Sequence, residues 1–147
     1  MPSTETVTCG VPHGSVLGPL LFKIYINDIK NIIPSEKIKL FADDTNLFIY
    51  DKNLDEAKKK AICYINKLNS WFTANKLSLN LSKTCYITFS TKATTPDLHL
   101  MINGHKIDKV NHCKYLGIII DEKLKWNIHI STVYNKLLKF TSIFYKL

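Results

Sequence analysis

The sequence contains no arginine. All 20 of its basic residues are lysine, set against 12 acidic residues, for a net charge of +8. A basic excess suits a polyanionic partner, nucleic acid or an anionic membrane surface, and does not choose between them. The missing guanidinium argues against bidentate readout of bases or phosphates, where arginine is the better side chain. Close cysteine pairs are also missing. Cys9, Cys63, Cys85 and Cys113 fit neither a zinc spacing nor a disulfide framework, and read as reduced, mostly buried thiols of an intracellular protein. There is no long apolar run: the longest, Val16–Phe22, contains Gly18 and Pro19 and is far too short to span a bilayer. The expectation is a nucleic-acid partner and no membrane. Met1–Thr8 is polar, lacks a secretory signal pattern and reads as a disordered leader. Internal repeats and low-complexity tracts are absent as well.

What is present fits one globular domain. The chain has 147 residues, 46% apolar and 22% charged, enough for a real core. The stretch from Cys9 to Phe22 is dense in glycine (Gly10, Gly14, Gly18) and proline (Pro12, Pro19), which predicts a shaped loop. It leads into a helix with Ser15 as its cap and Pro19 in its first turn. Leu17, Leu20, Leu21, Ile24, Tyr25 and Ile29 recur there at helical spacing, and the helix should stop before Pro34. Asp51–Asn53 offers a cap to a long helix ending near Asn75. Its Leu54, Ala57, Ala61, Ile65, Leu68 and Phe72 form one apolar stripe, with Lys58, Lys59 and Lys60 on a solvated face. Leu77–Asn80 reads as a turn, Cys85–Phe89 as a strand and Thr91–Asp97 as a loop. Leu98–Ile102 and His105–Val110 flank Asn103-Gly104, the signal of a tight hairpin. Tyr115–Ile120 reads as one more strand with Gly117 inside it, and Asn127–Leu147 as a final helix. Short strands mixed with helices predict an α+β fold.

The stretch that organises the rest is Lys37–Tyr50. Two apolar runs flank adjacent carboxylates, which predicts a hairpin with Ala42–Asn46 near its tip. Such a tip points Asp43 and Asp44 the same way. Carboxylates held together repel; a divalent cation removes the conflict, and hard cations prefer carboxylate oxygens. The stretch therefore suits Mg²⁺ and phosphoryl chemistry. A solvated turn that happens to carry two acids has the same local pattern, and spacing alone does not separate the two.

Several segments together resemble one family. Gly10-Val11-Pro12-His13-Gly14-Ser15-Val16-Leu17-Gly18-Pro19 resembles the loop-helix box of reverse transcriptases. Phe41-Ala42-Asp43-Asp44 is similar to their metal-binding hairpin. Leu79-Asn80-Leu81-Ser82-Lys83-Thr84 resembles the turn-and-lysine segment after the long palm helix, and Tyr115-Leu116-Gly117-Ile118 the element that grips the primer. Order and spacing agree from Cys9 onward, most closely with non-LTR retrotransposons of the jockey type.

The resemblance implies a partial polymerase palm over residues 9–125, an antiparallel sheet with helices packed on one face, and the start of a thumb helix over 126–147. It implies RNA-directed DNA polymerase chemistry with two Mg²⁺ ions about 4 Å apart, an RNA template and a DNA primer as partners, and the nucleus as location. Asp43 would bind metal directly, with Asp44 supporting it. Pro12, His13, Gly14 and Ser15 would lie along the nascent base pair. Lys83 would approach the triphosphate or protonate pyrophosphate, and Tyr115, Leu116 and Gly117 would position the primer. The plain alternatives are a surface lysine at 83 and an ordinary core strand at 115–117.

Two departures stand out. His13 occupies a position where the family usually has glutamine. The family's first catalytic acid lies on a strand well upstream of the Gly-Pro loop, whereas eight residues precede Cys9 here, none of them Asp; the fingers segment is likewise missing. The expectation is that this polypeptide alone binds Mg²⁺ weakly and does not polymerise. Without that strand, an edge carrying Leu40, Phe41, Phe48 and Ile49 would be bare, which predicts self-association. The alternatives to a palm fragment are a non-catalytic basic remnant that coats nucleic acid and a decayed insertion with no selected function.

Overall fold

The computed structural model describes residues 14–92 and 94–144, with side chains to position 141 of the last helix. The leader, Cys9, Gly10, Pro12 and His13 lie outside the described residues. The chain divides into two compact units, one ending at Ser78 and the other beginning at Leu79.

The first unit opens with α1 (Gly18–Tyr25), with Pro19 in its first turn, where a missing N–H costs nothing. Its N-cap is Leu17, which makes no side-chain bond. Ser15, expected as the cap, stands two positions too early to reach the first amides of the helix. After Tyr25 the chain tightens into a 3₁₀ turn over Asn27–Asn31 and ends before Pro34. This switch decides what is buried. Leu17, Leu20, Leu21 and Ile24 of the expected stripe are exposed, while Ile26, Ile29 and Ile33 are buried. Ile26, which caps the 3₁₀ turn, and Ile29 stand three residues apart and fall on one side of it.

Helix α2 (Leu54–Ala74) forms as the sequence predicts. Asn53 is extended, and its side chain accepts a 2.9 Å bond from the Asp55 amide. Ala61, Leu68, Trp71 and Phe72 are buried, the two rings meeting edge to face at 5.4 Å. Each such large side chain is worth about 1.5–3 kcal/mol of burial. The Tyr25 hydroxyl donates to the Asn75 carbonyl and ties α1 to the end of α2.

Between these helices, β1 (Ile38–Phe41) and β2 (Asp44–Leu47) pair antiparallel. The hairpin is closed at its base by a 2.7 Å bond from the Phe48 amide to the Lys37 carbonyl. The Lys37 ammonium also sits 3.1 Å over the Tyr50 ring.

The second unit begins with a 3₁₀ turn over Leu81–Lys83. Short strands follow: β3 (Cys85–Tyr86), β4 (Met101–Ile102), β5 (His105–Lys106), β6 (Asp108–Lys109), β7 (His112–Tyr115) and β8 (Ile118–Asp121), then α3 (Asn127–Phe144). Leu100, Ile102 and Ile107 are its buried apolar residues. Two expectations change here. The strand expected over Cys85–Phe89 is limited to Cys85–Tyr86. The strand expected over Tyr115–Ile120 is instead the turn of a hairpin: Leu116 and Gly117 have φ of +48° and +88° and reverse the chain between β7 and β8.

Among the described residues the strands form four separate pairs. Three are antiparallel, and β3–β6 is parallel. The class is α+β, but the single antiparallel sheet expected for 9–125 is not what these pairs make. β3 to β6 have two residues each, too few backbone groups to build a ladder across several neighbours. No helix of the described residues is long and apolar enough to cross a membrane.

Candidate functional site

The register of the first hairpin sets its two faces. Ile38 pairs with Leu47, Lys39 with Asn46, Leu40 with Thr45 and Phe41 with Asp44. Side chains alternate along a strand, so Ile38, Leu40, Thr45 and Leu47 share one face, and Lys39, Phe41, Asp44 and Asn46 share the other. Ile38 is buried, which marks the first face as the inner one. Asp44 therefore stands outward by register.

The turn is Ala42-Asp43, tighter than the Ala42–Asn46 tip read from the sequence, because Asp44 to Asn46 join the ladder. Ala42 has φ +51°, whereas Asp43 is not among the described residues with positive φ. That sign pattern belongs to a type II′ turn, whose first central position favours glycine. An alanine there holds strain of order 1 kcal/mol.

Asp43 and Asp44 are both exposed. Among the described residues no lysine forms an ion pair with either of them. Lys39, which shares the face of Asp44 by register, donates instead to the Ser35 carbonyl at 3.3 Å. Two adjacent carboxylates are thus left uncompensated at a hairpin tip. Mg²⁺ is commonly bound through one or two carboxylates together with substrate phosphates. The donor set fits that ion, although no cluster of three or more acid, histidine or cysteine side chains occurs among the described residues.

The other expected site residues divide between the units. Gly14 and Ser15 are in the same unit as the hairpin; Gly14 has φ +80° with open space at its Cβ position, so only its backbone requires glycine. Pro12 and His13 lie outside the described residues. Lys83 belongs to the second unit and ends the 3₁₀ turn with an exposed side chain. The turn under it is fixed by Asn80, whose carbonyl accepts from the Lys83 amide at 3.1 Å and the Thr84 hydroxyl at 2.8 Å. Tyr115, Leu116 and Gly117 are also in the second unit, at the β7–β8 tip.

Two acids that sequence reasoning passed over are structurally engaged. Asp97 accepts from the Tyr86 hydroxyl at 2.6 Å and the His99 amide at 2.7 Å, and pairs with Lys106 at 2.7 Å. Lys106, then Tyr86, hold its carboxyl well below the usual carboxylate range; burial, then the bond to Asp97, pushes the Tyr86 phenol up to about 12. Asp121 accepts from the amides of Lys123, Lys125 and Trp126. Only the second carried a readable signal, an Asp followed by a short polar loop before a helix.

Comparison with known proteins gives this arrangement its context. The family described as reverse transcriptase (RNA-dependent DNA polymerase) matches residues 3–120. The RNA-directed DNA polymerase from mobile element jockey of Drosophila melanogaster is 30% identical over 139 residues, covering 89% of this chain and 15% of that protein. The probable RNA-directed DNA polymerase from transposon X-element of the same species is 29% identical over 140 residues, covering 92% and 15%. The jockey protein of Drosophila funebris is 30% identical over 138 residues, with 89% and 15% covered. The chain thus spans about 15% of the length of these relatives. No solved structure matches it. With a family match over most of its length and mobile-element polymerases as relatives, the chain belongs to the reverse transcriptase family.

Proposed function

We propose that this chain is the part of an RNA-directed DNA polymerase palm that carries the paired metal-binding acids, acting in nucleotidyl transfer within a polypeptide that supplies the remaining elements. The observation that supports this most is the pair Asp43-Asp44, exposed together at a hairpin tip and engaged by no lysine among the described residues. Asp43, in the turn itself, would hold the metal directly, and Asp44, at the first paired position of β2, would support it. Bound Mg²⁺ supplies Lewis-acid stabilisation of the reacting phosphoryl group and of the leaving pyrophosphate. The protein's own residues do the placing. Gly14, with Pro12, His13 and Ser15, lets the loop backbone come close to the template and the nascent base pair. Lys83 directs an ammonium toward the triphosphate. The β7–β8 tip, with Tyr115, Leu116 and Gly117, holds the primer backbone. Residues 9–125 then belong to the palm, and 126–147 begin the thumb.

The test is primer extension. In a complete polymerase carrying this segment, Asp43→Asn with Asp44→Asn should lower extension by about a thousandfold, since several kcal/mol of metal-assisted stabilisation are lost. The 147-residue polypeptide alone should not extend a primer. Template-dependent synthesis by it, or full activity of the double variant, would overturn the proposal.

A second reading, a basic module that binds nucleic acid without catalysis, is favoured by one observation. The unit from Leu79 onward holds 10 of the 20 lysines but four of the 12 acids. On that reading binding falls steeply with salt, shows no sequence preference and survives the loss of Asp43 and Asp44.

A further inference from the structure

The loop between β8 and α3 is built more tightly than a connection of its length requires. The Asp121 carboxylate accepts three backbone amides: Lys123 at 2.9 Å and Lys125 at 3.1 Å on one oxygen, and Trp126 at 2.9 Å on the other. The Leu124 amide donates to the Asp121 carbonyl at 2.9 Å. Within this loop Leu124 and Trp126 take φ of +54° and +64°, a region that side-chain-bearing residues avoid. Trp126 immediately precedes the helix, and its carbonyl accepts the Ile130 amide at 2.9 Å. A second tie lies one helical turn on: the Ile119 amide of β8 donates to His129 Nδ1 at 3.3 Å. Carboxylate acceptors make stronger bonds than neutral ones, and a strained loop of this kind persists only where such bonds over-determine it. The amides of Lys125, Trp126 and Lys123 hold the Asp121 carboxyl below its ordinary range.

What is joined bears on nucleic acid. On one side is the β7–β8 tip. On the other is α3, which carries Lys136 and Lys139 and no acidic residue. We propose that Asp121, assisted by His129, is a positioning residue: it fixes the direction in which α3 leaves the β7–β8 hairpin, so that hairpin and helix grip a nucleic-acid duplex as one body. This rests on the reading of the chain as a polymerase segment. Asp121 touches no substrate and acts through the loop it holds.

Charge makes the test sharp. Asp121→Asn removes a negative charge, so electrostatics alone predicts tighter binding to a polyanion. The joint predicts the opposite, because the amide group of Asn turns a donor toward one of the three N–H groups. The 147-residue chain and its variants are titrated with a short RNA–DNA hybrid, and amide hydrogen exchange is followed in parallel. Asp121→Asn should weaken binding by about fivefold, the loss of one charge-assisted bond, while raising exchange at Lys123, Lys125 and Trp126. Glu122→Gln, with the same charge change next door, should bind slightly more tightly. If Asp121→Asn also binds more tightly, or exchange at the three amides is unchanged, the proposal is overturned. If Asp121→Asn does not fold by circular dichroism, His129→Leu decides: weaker binding with faster exchange at Ile119 supports the joint, and unchanged binding overturns it. Failure of the unaltered chain to bind the hybrid would instead sink the functional reading, and the exchange data would still report whether Asp121 holds the loop.

Discussion

Two hairpins in this protein carry acid chemistry on opposite terms. Beside the β4–β5 hairpin, Asp97 is fully committed to Lys106 of β5, the Tyr86 hydroxyl and the His99 amide. At the β1–β2 tip, Asp43 and Asp44 have no ion-pair partner among the described residues. The turns differ in the same sense. Asn103-Gly104 has positive φ at both positions, filled by residues that favour it, whereas Ala42 holds φ +51° without being glycine. One hairpin is arranged for stability. The other keeps charge and strain in one place, as functional sites do.

The largest expected effect separates the two directly. Replacing Asp43 and Asp44 by Asn should remove nearly all primer extension from a complete polymerase and leave the melting temperature of this chain unchanged or higher, because carboxylate repulsion is relieved. Asp97→Asn should do the reverse, lowering the melting temperature while leaving extension within a few-fold. Extension assays and thermal melts on the same variants check both halves.

Backbone substitutions come next. Gly104→Ala meets nothing within 4 Å, so its cost is the positive φ alone, about 1 kcal/mol. Ala42→Gly should act with opposite sign, stabilising by up to about 1 kcal/mol in urea unfolding, because it relieves the strained position. If both destabilise, the tip holds no strain and the contrast between the hairpins disappears.

How far the sequence announced these features follows from locality. The Asn53 cap, the α2 stripe and the Asn103-Gly104 turn are local signals, and each appears where its residues require it. The Leu116-Gly117 turn was hidden because leucine is no turn residue and the β-branched run after it mimics an uninterrupted strand. The parallel β3–β6 pair depends on bringing Cys85 opposite Asp108, which no local pattern encodes. Likewise α1 has a helical stripe that stays exposed, since the core is taken by Ile26, Ile29 and Ile33 just beyond it. For the site, the adjacency of Asp43 and Asp44 was plain in the sequence. That no lysine among the described residues pairs with them was not, in a chain with this many lysines.

The smallest effects are those of pH, and they test the committed hairpin. The carboxyl of Asp97 lies lower in the folded chain than in the unfolded one. Its stabilisation is present above the unfolded pKa, about 3.9, and is lost as pH falls through the folded value. Tyr86 is raised from 10.0 to about 12, so its contribution is complete below 10 and is lost as pH rises through about 12. Urea unfolding against pH should show both limbs. Asp97→Asn should flatten the acid limb and Tyr86→Phe the alkaline one.

Paramagnetic Mn²⁺ reports whether Asp43 and Asp44 form a metal-holding tip. Titrated into the 147-residue chain, it should broaden the amide resonances of Ala42, Asp43, Asp44 and Thr45 first, and Asp43→Asn with Asp44→Asn should abolish that broadening. Broadening that begins at Asp97 or Asp121, or that persists at the tip in the double variant, would mean that Asp43 and Asp44 do not hold the metal.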